Sequence, residues 1–136
     1  QMMPLAIQKQ GLKQALQSFT DKIDNQIIEI DLHTENLDER MDSDTESVLY
    51  RIIQECVNNT LKHANAKRLD ISVIRDAEGI SATIEDDGKG FEINNSKEGI
   101  GLKNIITRVS YLKGTVEVDS SPGNGTLVAI HVPLPL

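Results

Sequence analysis

Apolar residues recur at helical spacing at Leu12, Ala15, Leu16, Phe19 and Ile23, which predicts a first helix over about residues 9–24. In "QIIEIDLH" the period changes to two: Ile28, Ile30 and Leu32 alternate with Glu29, Asp31 and His33, the pattern of a half-buried strand. Residues 34–42 are acidic and loop-like, and "SDTE" (Ser43 to Glu46) has capping-box spacing, opening a long helix over about 44–64. "RLDISVIRD" and "GISATIED" read as two strands joined near Asp76-Ala77-Glu78-Gly79, most simply a hairpin. In "GLKNIITRVSYLKG" a third helix carries Leu102, Ile105, Ile106, Val109 and Leu112 on one apolar stripe, with Gly114 suited to the position just past its end. "TVEVDS" and "TLVAIHVPL" close the chain as strands. This order predicts an α+β fold, a two-layer sandwich in which three helices cover one face of a mixed sheet of about five strands.

The long helix changes character along its length. Glu55, Asn58, Asn59, Lys62 and His63 fall in a stripe about 140° wide, and upstream Val48 and Ile52 occupy the same stripe. A face that simply met water would be polar throughout, so the second half is expected to lie against something polar and discrete.

With 136 residues the chain is sized for one domain, and 38% hydrophobic and 26% charged residues are ordinary for a globular protein. The four aromatic residues, Phe19, Tyr50, Phe91 and Tyr111, leave the core to aliphatic side chains. A formal charge of −7 argues against nucleic acid or an anionic membrane surface as partner. Cys56 is the single cysteine, so no internal disulfide can form, and it reads as a packing residue. No apolar run approaches a membrane span of roughly 20 residues. These features fit a cytoplasmic domain without direct membrane contact, membrane anchoring of a parent protein being left open.

Three glycine clusters remain. "DDGKG" (Asp86 to Gly90) follows a strand, "GIG" (Gly99 to Gly101) precedes the third helix, and "PGNG" (Pro122 to Gly125) precedes the last strand. Each alone reads as a turn. In order, and behind the polar helix face, they resemble the ATP-binding catalytic domain of bacterial sensor histidine kinases, in the superfamily shared with DNA gyrase, Hsp90 and MutL. "ECVNNTLKH" is similar to the family's N box, "DDGKGF", "GIGLKNI" and "GNGT" to its three glycine boxes, and "LKHANA" with "GLKNIITRVSYLKG" to the short-lid kinases of the nitrate-sensor and lipid-fluidity-sensor type. The resemblance implies a Bergerat-type ATP-binding fold over residues 9–136, with residues 1–8 the tail of a linker from a dimerisation domain.

The chemistry of the residues agrees. Adenine presents an exocyclic amine and a buried carboxylate is its natural acceptor, a role that falls to Asp86; guanine puts a carbonyl there and is rejected. Gly88 and Gly90, without Cβ atoms, let backbone lie close to the purine. By resemblance Thr126 shares a water with Asp86 and the base, and Leu102, Gly123 and Gly125 join the ATP site. Gly99 and Gly101 place free N–H groups at a helix start, suited to phosphate. Asn59 is the implied Mg²⁺ ligand and Glu55 the implied catalytic residue, holding a metal-bound water or polarising the attacking group. Lys62 and His63 are expected to face the phosphates, although His63 also suits a helix C-terminus on its own. Arg108 either anchors the third helix or lies near the phosphates. Phe91 and the spacer to Glu98 form the expected lid. His33 and His131 read as surface residues, and Asp87, where the family more often has asparagine, adds charge expected to weaken nucleotide binding.

None of the three histidines sits in a phosphoacceptor context. The expected activity is therefore that of a protein-histidine kinase catalytic domain, binding ATP and Mg²⁺ and passing the γ-phosphoryl group to a dimerisation and phosphoacceptor domain. A response regulator acts downstream, and the chain alone is expected to be a monomer. The competing readings are an anti-sigma-factor-type protein-serine kinase and a catalytically silent nucleotide-binding interaction module.

Overall fold

The computed structural model describes residues 9–93 and 96–134, the side chains of residues 96–101 excepted. The linker expected over residues 1–8 and part of the expected lid lie outside the described residues. The elements are α1 (Leu12–Asp21), β1 (Glu29–Glu35), α2 (Ser43–Asn59) running on into a π-helical turn (Thr60–Ala64), β2 (Arg68–Asp76), β3 (Gly79–Asp86), α3 (Ser96–Tyr111), β4 (Thr115–Ser120) and β5 (Thr126–Val132). The five strands form one mixed sheet in the order β1-β2-β3-β5-β4, parallel between β1 and β2 and antiparallel elsewhere. The expected sandwich, with β2 and β3 as a hairpin, is what the chain forms.

Period-two alternation sorts the sheet into two faces. Ile80, Ala82 and Ile84 of β3 and Val128, Ile130 and Val132 of β5 are buried beneath the helices. Leu12 and Leu16 of α1, Leu49, Ile52 and Ile53 of α2, and Ile105 and Val109 of α3 close on them, so the core is aliphatic, as the scarcity of aromatic residues requires. Phe19 and Tyr50 meet edge to face at its margin, ring centroids 6.1 Å apart.

Three local expectations need correction. The cap of α2 is Asp42, one residue before Ser43: its carboxylate accepts the Thr45 N–H at 3.2 Å. That frees Glu46, expected to close the capping box, to turn inward, where Arg40 Nη2 donates to Oε1 at 2.9 Å and Met41 N–H to Oε2 at 3.3 Å. Ile106 does not share the buried stripe of α3; it lies about 80° from the centre set by Leu102, Ile105, Val109 and Leu112 and is 48% exposed. At the end of α3 the left-handed residue is Lys113 (φ 61°), and Gly114 follows it, donating to Val109 O at 2.9 Å.

Candidate functional site

Asp86 is the last residue of β3 and continues the inward series Ile80, Ala82, Ile84, so strand alternation carries a carboxylate to the end of the core. It is 8% exposed. Gly88 N–H donates to Oδ1 at 2.8 Å, and the Thr60 hydroxyl reaches Oδ2 at 3.3 Å. Across the sheet Asp86 pairs in register with Thr126, and Thr126 with Ser120, whose hydroxyls are 2.8 Å apart. The Ser120 hydroxyl also accepts the Phe91 N–H at 3.0 Å, tying the start of the spacer to the end of the sheet.

These residues stand around a cavity of about 350 Å³. Its walls are apolar, formed by Ile84 and Val128 of the sheet and by Leu102 and Ile105 of α3. Asn59, Thr60, Asp86 and Thr126 supply discrete polar points, and the exposed residues His63 and Lys89 mark its open side. Apolar walls with a few convergent polar groups, in a volume of some hundreds of Å³, are the features of a small-molecule site. A carboxylate accepts hydrogen bonds and gives none, so the floor selects a ligand with a donor, such as the amine of adenine.

The floor depends on two close approaches. A Cβ on Gly88 would stand 2.3 Å from Ala64 O, so only glycine lets the loop after β3 lie on the end of the π-turn, where Lys89 N–H donates to Ala64 O at 2.7 Å. Gly125 has φ +68°, and a Cβ there would meet Asp86 O at 2.2 Å. Both glycines act through packing and neither lines the cavity. Gly123 donates to Lys89 O at 2.6 Å and is also off the wall.

Of the expected site residues, the structure brings Asn59, His63, Asp86, Gly90, Leu102 and Thr126 to the cavity. Phe91, the first lid residue, is there too. Lys62 is exposed and off the wall. The π-turn beginning at Thr60 widens the helix and rotates its last residues away from regular 100° spacing. Glu55 also lies off the wall: Oε2 is 3.4 Å from Arg108 Nε and Oε1 is 3.4 Å from Asn104 Nδ2, both on α3. Arg108 thus takes the anchoring role of its two alternatives. Gly99 and Gly101 lie within α3, which starts at Ser96, rather than ahead of it; Lys97 and Glu98 are good helix formers and carry the helix back past them.

Asp87 is not part of the cavity. Its carboxylate accepts the Lys67 and Arg68 N–H groups at 2.8 and 3.0 Å, bracketing the start of β2. Those N–H groups, Arg68 first, hold it below the usual carboxylate range. Cys56 packs in the core as expected and also forms part of the cavity wall; burial, with Glu55 nearby, pushes its thiol up to about 12, so it is inert. His33 is exposed beside Glu35, and His131 is half-buried against the Ser81 hydroxyl at 3.3 Å. Thr60, Lys89 and Ser120 belong to the site without having been singled out by the sequence. Thr60 and Ser120 continue apolar series already visible in α2 and β4, which was the available signal; nothing local marks Lys89.

A two-layer sandwich with a buried carboxylate at the end of its central strand, an apolar-walled cavity and glycines pressed on the floor defines a domain that binds a small donor-bearing ligand. Residues 44–136 match the family described as histidine kinase-, DNA gyrase B-, and HSP90-like ATPase, and the chain belongs to that family of ATP-binding domains. It is 31% identical over 137 residues to the oxygen sensor histidine kinase NreB of Staphylococcus carnosus (strain TM300), covering 98% of this chain and 40% of that protein. It is 32% identical over 141 residues to the signal transduction histidine-protein kinase/phosphatase DegS of Bacillus subtilis (strain 168), covering 98% of this chain and 37% of that one. The chain therefore spans about two fifths of the length of these relatives. In fold it is similar to the ATP binding domain of PrrB from Mycobacterium tuberculosis (TM-score 0.66, 18% identity, 92% of each chain). It is likewise similar to the histidine kinase AdeS of Acinetobacter baumannii (TM-score 0.70, 18% identity, 91% of this chain and 63% of that one). The expected membership of the histidine kinase family of ATP-binding domains is borne out. No helix among the described residues is long and apolar enough to cross a membrane.

Proposed function

We propose that this domain binds Mg²⁺–ATP and donates the γ-phosphoryl group to a histidine on the dimerisation and phosphoacceptor domain of a cytoplasmic sensor-kinase core, from which a response regulator takes it. The observation that carries the reading is the buried Asp86 carboxylate, held by the Gly88 N–H and within reach of the Thr60 hydroxyl, at the floor of an apolar cavity large enough for a purine. Two relatives named as histidine kinases, each matched over 98% of this chain, support the same reading.

Within it, Ile84, Leu102, Ile105 and Val128 sandwich the base and exclude water from the bond between Asp86 and the amine. His63 and Lys89, on the open side, face the phosphates, with Gly90 and Thr126 lining the floor. Among the described residues no cluster of three or more His, Cys, Asp or Glu side chains could cage a metal. A single amide oxygen on Asn59 fits an ion that arrives on the phosphates, since Mg²⁺ takes hard oxygen donors and keeps several waters. When bound it neutralises phosphate charge. Transfer then rests on positioning and charge, and needs no covalent step on this domain.

Calorimetric titration with ATP and GTP, each with and without Mg²⁺, tests the reading on this chain and on Asp86→Asn. ATP binds in preference to GTP, and the substitution weakens ATP at least tenfold, as loss of a buried charge-assisted bond of about 1.5–3 kcal/mol requires. Equal affinity for the two nucleotides, or an indifferent Asp86→Asn, refutes it.

A further inference from the structure

We infer that Arg108, with Asn104, is a positioning residue for the nucleotide: the two grip Glu55 and thereby set the α3 wall of the cavity against α2. The inference rests on the cavity being the ATP site.

Asn104 and Arg108 stand four residues apart, one above the other on α3. They take opposite oxygens of one carboxylate, Asn104 Nδ2 on Oε1 and Arg108 Nε on Oε2, each at 3.4 Å. A single contact leaves a helix free to turn about it, whereas two contacts on successive turns fix both its rotation and its sliding. The same helix carries Leu102 and Ile105 in the cavity wall, while α2, which bears Glu55, carries Asn59 one turn further on. Arg108 Nε is shut off from solvent and makes no hydrogen bond of good geometry; the carboxylate of Glu55 is its ion-pair partner. Neutralising Glu55 leaves that N–H without its counter-charge; the Arg108 side chain, 41% exposed, then swings out to water and releases α3 from α2. Glu55 on this account acts through α3 and does not touch the reacting atoms.

The test is ATP affinity by calorimetry, in Mg²⁺ and in EDTA, for the chain and for Glu55→Gln, Arg108→Gln, the double variant and Glu55→Asp. Each single Gln variant weakens ATP roughly threefold to tenfold, by the same factor with and without Mg²⁺. The double variant is no worse than the weaker single one. Glu55→Asp, which keeps the charge but withdraws it by a methylene, falls between and is the variant to rely on if a Gln variant melts early. Preference for ATP over GTP persists throughout, because Asp86 is untouched. If Glu55→Gln loses only the Mg²⁺-dependent part of the affinity while Arg108→Gln changes nothing, Glu55 serves the metal and the inference is overturned. Unchanged affinity in all the variants overturns it as well, leaving the grip purely structural. Failure of the unmodified chain to bind ATP removes the underlying reading instead, and is visible before any variant is made.

Discussion

Gly88 and Gly123 are both glycines in loops of the site, yet their substitution by alanine should differ severalfold in cost, for separable reasons. At Gly88 the obstacle is space: a Cβ would stand 2.3 Å from Ala64 O and 2.7 Å from Ala64 Cβ. Relief requires the loop after β3 to lift by about 1 Å from the π-turn. The lift breaks the 2.7 Å bond from Lys89 N–H to Ala64 O and stretches the 2.8 Å bond from Gly88 N–H to the Asp86 carboxylate. One neutral bond and part of a charged one, with residual overpacking, come to about 2–4 kcal/mol. At Gly123 nothing lies within 4 Å of a Cβ, and the obstacle is conformation alone, φ +85°, worth about 1 kcal/mol for an L residue. At roughly 3–5 °C per kcal/mol for a domain of this size, Gly88→Ala lowers the melting temperature by about 10 °C and Gly123→Ala by about 4 °C. Thermal unfolding followed by circular dichroism, with ATP titration on the folded variants, reads both effects. Gly88→Ala should also weaken ATP, because the displaced N–H orients Asp86, whereas Gly123→Ala should not. Equal losses of stability, or a Gly88→Ala protein that binds ATP as the parent does, refute the claim that the floor is held by close packing on Ala64.

Arg40→Ala removes the ion-pair partner of the buried Glu46 carboxylate, which keeps the Met41 N–H; a urea midpoint below the parent's is expected, and an unchanged midpoint contradicts the pairing. Asp87 is held below its unfolded value by the Arg68 and Lys67 N–H groups, so its stabilisation is fully present above roughly pH 4 and is lost as pH falls through the lower folded value. Asp87→Ala should therefore melt earlier than the parent at pH 7, and the two melting curves should converge in acid; a gap that persists or widens there contradicts the bracket at β2.

The elements were legible because their determinants are local. Asp86 and Thr126 were assigned to the site by motif resemblance, and the structure shows why they face it: counting by twos from Ile80 in "GISATIED" lands on Asp86, and the same count along β5 lands on Thr126. What stayed hidden depends on partners far along the chain. Ser43 to Glu46 satisfied a capping-box pattern, but Asp42 caps equally well, and only the proximity of Arg40 decides that Glu46 turns inward. Lys62 was placed by regular helical spacing, which the π-turn at Thr60–Ala64 breaks, although His63 still reaches the cavity. Glu55 read as a site residue from its stripe, since a single-helix projection cannot reveal that Asn104 and Arg108 arrive from α3 to claim it.

The place where the two layers part explains why these residues meet. Along α2 the inward positions run Leu49, Ile52, Ile53, Cys56, Val57, Thr60, and along β3 they run Ile80, Ala82, Ile84, Asp86. Both series are apolar until their last member. Those last members touch, Thr60 Oγ1 to Asp86 Oδ2 at 3.3 Å, at the floor of the cavity. A hydroxyl has one proton, and Thr60 can donate it either to Asp86 or to Cys56 O at 3.2 Å. An incoming amine can therefore claim the carboxylate while Thr60 turns to the helix carbonyl, and no buried donor is left unpaired. The core and the site are thus one continuous surface. A ligand that fills the cavity extends the hydrophobic core of the fold, so nucleotide affinity and resistance to unfolding should rise and fall together across variants of its walls.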